Sequence, residues 1–136
     1  MKRIFMTLAA FGMAAATSMA ADLFAVKARV PFDFAVAGVQ LPAGTYHVGH
    51  HGPQGVLAIR DAAGIVKAAF QTNALYTNKR TRQPSLVFNK YGDRYFLSRV
   101  WMGGMNNGQE LRRSKTEREL MTSAPIEQVI VAAFYR

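Results

Sequence analysis

The chain has 136 residues, of which 17 are Lys or Arg and 8 are Asp or Glu, giving a formal charge of +9; half of its residues are apolar and none is cysteine. This composition excludes a disulfide-stapled scaffold and a thiol nucleophile. The basic excess points toward anionic partners, since net charge governs association rather than fold.

At the N-terminus Met1, Lys2 and Arg3 precede an apolar run over residues 4–16, which Thr17, Ser18, Met19, Ala20 and Ala21 close. A charged region, an apolar region and a small-residue cleavage site predict a secretory leader over 1–20, cut after Ala20. The apolar run falls short of the ~20 residues that span a bilayer, so no transmembrane span is expected after cleavage. The expected location is periplasmic or extracellular, and the mature chain, 21–136, is expected to be a single domain. Loss of Lys2 and Arg3 lowers the charge by two, to +7.

From Val26 the residues alternate: Val26, Ala28, Val30, Phe32, Phe34 and Val36 fall on one face, Lys27, Arg29, Pro31, Asp33 and Ala35 on the other. This period of two predicts a half-buried strand, and Pro31, lacking an N–H, places it at an edge or a bulge. Turn-rich residues 38–44 lead into a strand over 45–50. Further strands are predicted over 56–60 and 65–72, separated by a turn at 61–64. Residues 73–84 and 102–113 read as two long loops.

The sharpest local pattern is two β-rich runs, 86–91 and 94–101, joined by Gly92 and Asp93. Glycine at the first central position predicts a two-residue type II′ hairpin. Its register then pairs Tyr91 with Arg94, Phe88 with Leu97 and Leu86 with Arg99. Leu86, Phe88, Tyr95, Leu97 and Trp101 fall on one face, and Val87, Tyr91, Phe96 and Val100 make the other face partly apolar too. Such a hairpin needs cover on both sides. Ser114 and Glu117 form a capping box that starts a helix over 115–122, whose Leu120 and Met121 can provide the cover. After Pro125 a last strand runs over 126–135. The expected fold is all-β, an antiparallel barrel or sandwich of about seven strands, with one short helix before the last strand and that strand closing against the first.

Three blocks stand out along this reading: Val30-Pro31-Phe32-Asp33-Phe34, Leu41-Pro42-Ala43-Gly44-Thr45-Tyr46, and Tyr91-Gly92-Asp93-Arg94-Tyr95-Phe96-Leu97. Together with Trp101 and the run over 114–120, they make the chain resemble a family of small exported acidobacterial β-domain proteins. The resemblance implies a periplasmic or surface β-domain and supplies no catalytic residue. Each block also has a turn-forming explanation of its own, through Pro42, Gly44 and Gly92.

Catalytic patterns are absent. His47, His50 and His51 lie close in sequence, but on a strand His47 and His51 are about 13 Å apart at ~3.3 Å per residue and His50 faces the opposite way, so no metal site is expected. The carboxylates are scattered, with no Gly-x-Ser-x-Gly elbow and no phosphate-binding glycine loop. The reading is therefore of a non-catalytic binding or structural module of the cell envelope, without cofactor and without specific nucleic-acid recognition.

Basic residues cluster twice, at Lys79, Arg80 and Arg82 and at Arg112, Arg113 and Lys115, and these six form the candidate ligand-binding set. Its expected partner is acidic polysaccharide or an anionic envelope surface. Homo-oligomerisation is a further expectation. The alternatives are a lipocalin-like carrier, which requires an apolar cavity, and a hydrolase, which requires convergent polar groups in a cleft. A scaffold would instead show a filled interior and an exposed apolar patch, with Phe96 and Val100 as its candidates.

Overall fold

The computed structural model of the protein describes residues 25–77, 83–102 and 107–135. Ten strands and one helix follow in the order β1 (Val26–Val30), β2 (Phe34–Val36), β3 (Val39–Leu41), β4 (Gly44–His50), β5 (Val56–Asp61), β6 (Val66–Tyr76), β7 (Ser85–Tyr91), β8 (Arg94–Trp101), β9 (Asn107–Leu111), α1 (Lys115–Met121) and β10 (Glu127–Tyr135). Eight of the strands, in the order β8-β7-β10-β1-β4-β5-β6-β9, form an antiparallel barrel that the β8–β9 pairing closes. The last strand does meet the first, with Val26 opposite Tyr135 and Ala28 opposite Ala133. Closure leaves no free edge on the barrel wall.

Three strands exceed the expected seven, and each has a local cause. The alternating stretch from Val26 breaks at Pro31, where the missing N–H ends pairing. The backbone N–H of Ala43 donates to Asp33 Oδ1 at 2.8 Å and fixes the bend. The chain then resumes as β2, which hairpins with β3 and pairs in parallel with β8 at Ala35 and Phe96. The β2–β3 turn is built from Ala37 at φ +50° and Gly38 at φ +80°. Two positive φ values in a two-residue loop are the geometry of a type I′ turn. The segment read as the second loop contains β9, which pairs with both β6 and β8. Likewise β6 runs on through Tyr76, beyond the expected end at Thr72.

The β7–β8 hairpin has its expected tip: Tyr91 faces Arg94, Phe88 faces Leu97, and Gly92 sits at φ +66° while Asp93 keeps negative φ. Further from the turn a bulge at Ser98 shifts the register, so Leu86 faces Val100 and not Arg99. One extra residue turns every later side chain to the other face. Val100 thereby enters the core, whereas Trp101 leaves it and lies over Gly108 of β9.

A single core cluster fills the barrel, with Val26, Val30, Phe34, Val48, Leu57, Ile59, Leu86, Phe88 and Val100 all fully buried. Phe32 stacks on Tyr95 at 3.8 Å between ring centres and meets Phe88 edge-on at 4.9 Å. Eight strands enclose a narrow interior, and the packed apolar side chains of this cluster line it.

Candidate functional site

With the interior occupied, the outer wall carries the features of interest. On β7 and β8 the outward positions Tyr91 and Phe96 pack with Ala35 into a second apolar cluster, which Leu120 and Met121 of α1 cover. The helix is therefore the cover that the two-sided hairpin required. Phe96 is buried beneath it and Val100 lies in the core, so neither forms an exposed patch.

Half of the expected capping box is present: Ser114 Oγ accepts from the Glu117 N–H at 3.2 Å. The Glu117 carboxylate points into the wall, where Oε2 accepts from Asn89 Nδ2 at 2.9 Å and from the Tyr91 hydroxyl at 2.7 Å. Arg113 Nε lies 3.8 Å from the same oxygen. Glu117 is only 3% exposed, so these partners offset the cost of removing its carboxylate from water. Burial, reinforced by the hydrogen bond to Glu117 and its negative charge, pushes the Tyr91 phenol up to about 12. This network escaped the sequence reading. Its signal was Asn89, a polar residue set between outward-facing apolar Val87 and Tyr91.

Beside this anchor the wall has a seam. β8 pairs with β9 at residues 99–101 but with β2 at Phe96, so its neighbour changes part-way along its length. A cleft of about 750 Å³ lies between the β2–β3 turn, at Ala37 and Gly38, and β6, at Phe70, Gln71 and Asn73; Leu111, Arg112, Arg113 and Ser114 complete its lining. No carboxylate is among these residues. Two arginines, Gln71, Asn73 and Ser114 are among them, beside the core residues Phe70 and Leu111. Such a surface suits an anionic group that presents oxygens to charge-assisted donors.

Of the six residues expected to bind, Arg112 and Arg113 line the cleft, and Lys115 is exposed at the start of α1. Lys79, Arg80 and Arg82 lie outside the described residues. Tyr76, read as part of their loop, ends β6 and is 79% exposed. His47 and His50 occupy opposite faces of β4, with partners Arg60 and Leu57 on β5. Among the described residues, no group of three His, Asp or Glu side chains is placed to hold a metal ion.

Comparison with protein-family models, with curated proteins and with solved structures found no match.

Proposed function

We propose that the protein is a non-catalytic, exported binding module of the cell envelope that holds an anionic polymer against the seam of its barrel. The observation that carries this reading is the cleft lined by Arg112 and Arg113 with Gln71, Asn73 and Ser114 and with no carboxylate. The tightly buried aromatic and branched side chains inside the barrel, among them Phe34, Phe88, Leu57 and Ile59, favour it over the carriage of a small apolar ligand there. Arg113 is partly oriented by Glu117 at a distance beyond hydrogen bonding, which leaves its remaining donors for a ligand. The pair is half-exposed at Arg113 and contributes little stability of its own.

The test is calorimetric titration with polygalacturonate at low and near-physiological salt. Binding is expected to weaken steeply with salt, because exposed charges are screened over about 8–10 Å in this range. Arg112→Glu is expected to remove most of it while leaving the thermal midpoint nearly unmoved, since Arg112 is exposed. Binding that is insensitive to both salt and Arg112→Glu would refute the assignment.

A further inference from the structure

The wall of the barrel away from the cleft carries a different surface. Along β10 the inward residues Val129, Val131 and Ala133 pack on the core, and the outward ones are Ile130, Ala132 and Phe134. Ile130 is 69% exposed and Phe134 62%, with Ile126 and Tyr135 exposed at the two ends of the strand. Single exposed apolar residues are ordinary, but a contiguous strip of them marks a contact surface. Around the closed barrel β10 stands four places from β6 and β1 four places from β9, the two strands that line the cleft.

The neighbours of this strip identify its partner. Phe134 is paired directly with Lys27 on β1, so the two side chains share the outer face, and Arg29, two residues on, shares it as well. Both cations are exposed. On the other side β7 contributes Ser85, Val87 and Asn89 to that face, opposite Ala132, Ile130 and Gln128. No carboxylate occupies the outward positions of β1, β7 or β10. Glu127, at the start of β10, lies 4.0 Å from Lys90 at the barrel end. A second copy of the chain would bring Lys27 and Arg29 toward their own kind, a repulsive juxtaposition. An acidic polysaccharide would satisfy the cations but offers no hydrocarbon for Ile130 and Phe134. An anionic lipid surface satisfies both, taking the apolar side chains at the headgroup boundary and the cations at the phosphates.

We infer that the β10–β1 face, with Ile130 and Phe134 as its apolar contacts and Lys27 and Arg29 as its cationic ones, docks the protein on the surface of an anionic membrane. The barrel lies on the bilayer and does not cross it, and the seam cleft faces away from it.

The test is co-sedimentation with phosphatidylglycerol-rich vesicles and with pure phosphatidylcholine vesicles. It uses the chain from Ala21, which contains every strand of the barrel, so that the apolar run over 4–16 cannot itself insert. Binding is expected to the anionic vesicles and to be much weaker to the neutral ones. Ile130→Ser/Phe134→Ser is expected to weaken it at least about tenfold. Lys27→Glu/Arg29→Glu is expected to weaken it by about 30-fold or more, at roughly 1 kcal/mol for each cation near the surface. Ile65→Ser, which changes an exposed apolar residue in the β5–β6 turn, should leave binding unchanged. Thermal midpoints confirm that each variant is folded. The inference is overturned if the parent binds neither vesicle, if both double variants bind like the parent, or if Ile130→Ser/Phe134→Ser instead abolishes a dimer seen by sedimentation velocity in a parent that ignores vesicles.

Discussion

Replacing Tyr91 with Phe tests the polar anchor that holds α1 on the barrel. The substitution removes one hydroxyl, which donates to Glu117 Oε2 at 2.7 Å, and keeps the ring that meets Phe96 edge-on at 5.6 Å between centres. Apolar contact is thus preserved, and the change isolates a hydrogen bond to a charged acceptor, typically about 1.5–3 kcal/mol. Glu117 is left with Asn89 as its close donor and Arg113 at 3.8 Å. At roughly 4 °C per kcal/mol for a domain of this size, the expected fall in thermal midpoint at neutral pH is about 6–12 °C. The pH dependence has a definite sign. The Tyr91 phenol is raised from 10.0 to about 12, so its contribution is fully present below about pH 10 and is lost as the pH rises toward 12. The gap between parent and Tyr91→Phe should therefore narrow across that window. Phenolate absorbance at high pH should show one late-titrating tyrosine fewer in the variant than in the parent. Because Glu117 also orients Arg113, affinity for polyanion should fall modestly as well. A midpoint within about 1 °C of the parent would refute the anchor, since no charge-assisted bond is that weak when its acceptor stays buried.

Two further substitutions probe the seam from opposite sides. A Cβ at Gly108 would lie 2.5 Å from the Trp101 ring, so Gly108→Ala must displace the indole from the β8–β9 closure; the expected loss is about 1–3 kcal/mol, with a change in the emission of the chain's single tryptophan. Unchanged emission and midpoint would show that the ring does not lie over Gly108. Ala37→Asn, at φ +50° in the β2–β3 turn, should raise stability by about 1 kcal/mol, since asparagine tolerates this backbone region and Asn-Gly suits a type I′ turn. A lower midpoint would count against that turn geometry.

How far the sequence could be read depended on whether local chemistry set each feature. The Gly92 turn and the residues next to it were legible because a two-residue loop fixes its own register. The bulge at Ser98 was not, because nothing about serine in a strand announces an extra residue; it emerges only when β8 must exchange β2 for β9 as a neighbour. Strand β9, Asn-Gly-Gln-Glu-Leu, lacks both alternation and β-branched residues, and tertiary pairing on two sides overrides its weak propensity. Arg112 and Arg113 were legible as a basic cluster, but the cleft beside them is made by Ala37, Gly38 and Gln71, distant in sequence and unremarkable in type. Glu117 could be identified as a cap residue from its distance to Ser114. Its role in the wall depended on Asn89 and Tyr91 lying under the helix, which spacing along the chain does not encode.

An eight-stranded barrel with a packed apolar core leaves its outer wall as the place for recognition, and every second residue of a strand belongs to that wall. A barrel with only a core to satisfy would have polar residues at nearly all such positions. Here two sets stand out against that rule. Tyr91 and Phe96 are answered by α1, whereas Phe70 and Leu111, inward and buried, belong to the core where it meets the seam cleft beside Arg112 and Arg113. Among the described residues nothing covers Ile130 and Phe134, which lie next to Lys27. The first set is satisfied by folding, so it constrains stability alone. The second is not, and its strand β10 stands four places around the barrel from β6, which lines the cleft. Binding at one wall then need not exclude binding at the other, and a protein resting on a membrane by β10 would still present its cationic cleft to a polymer above it.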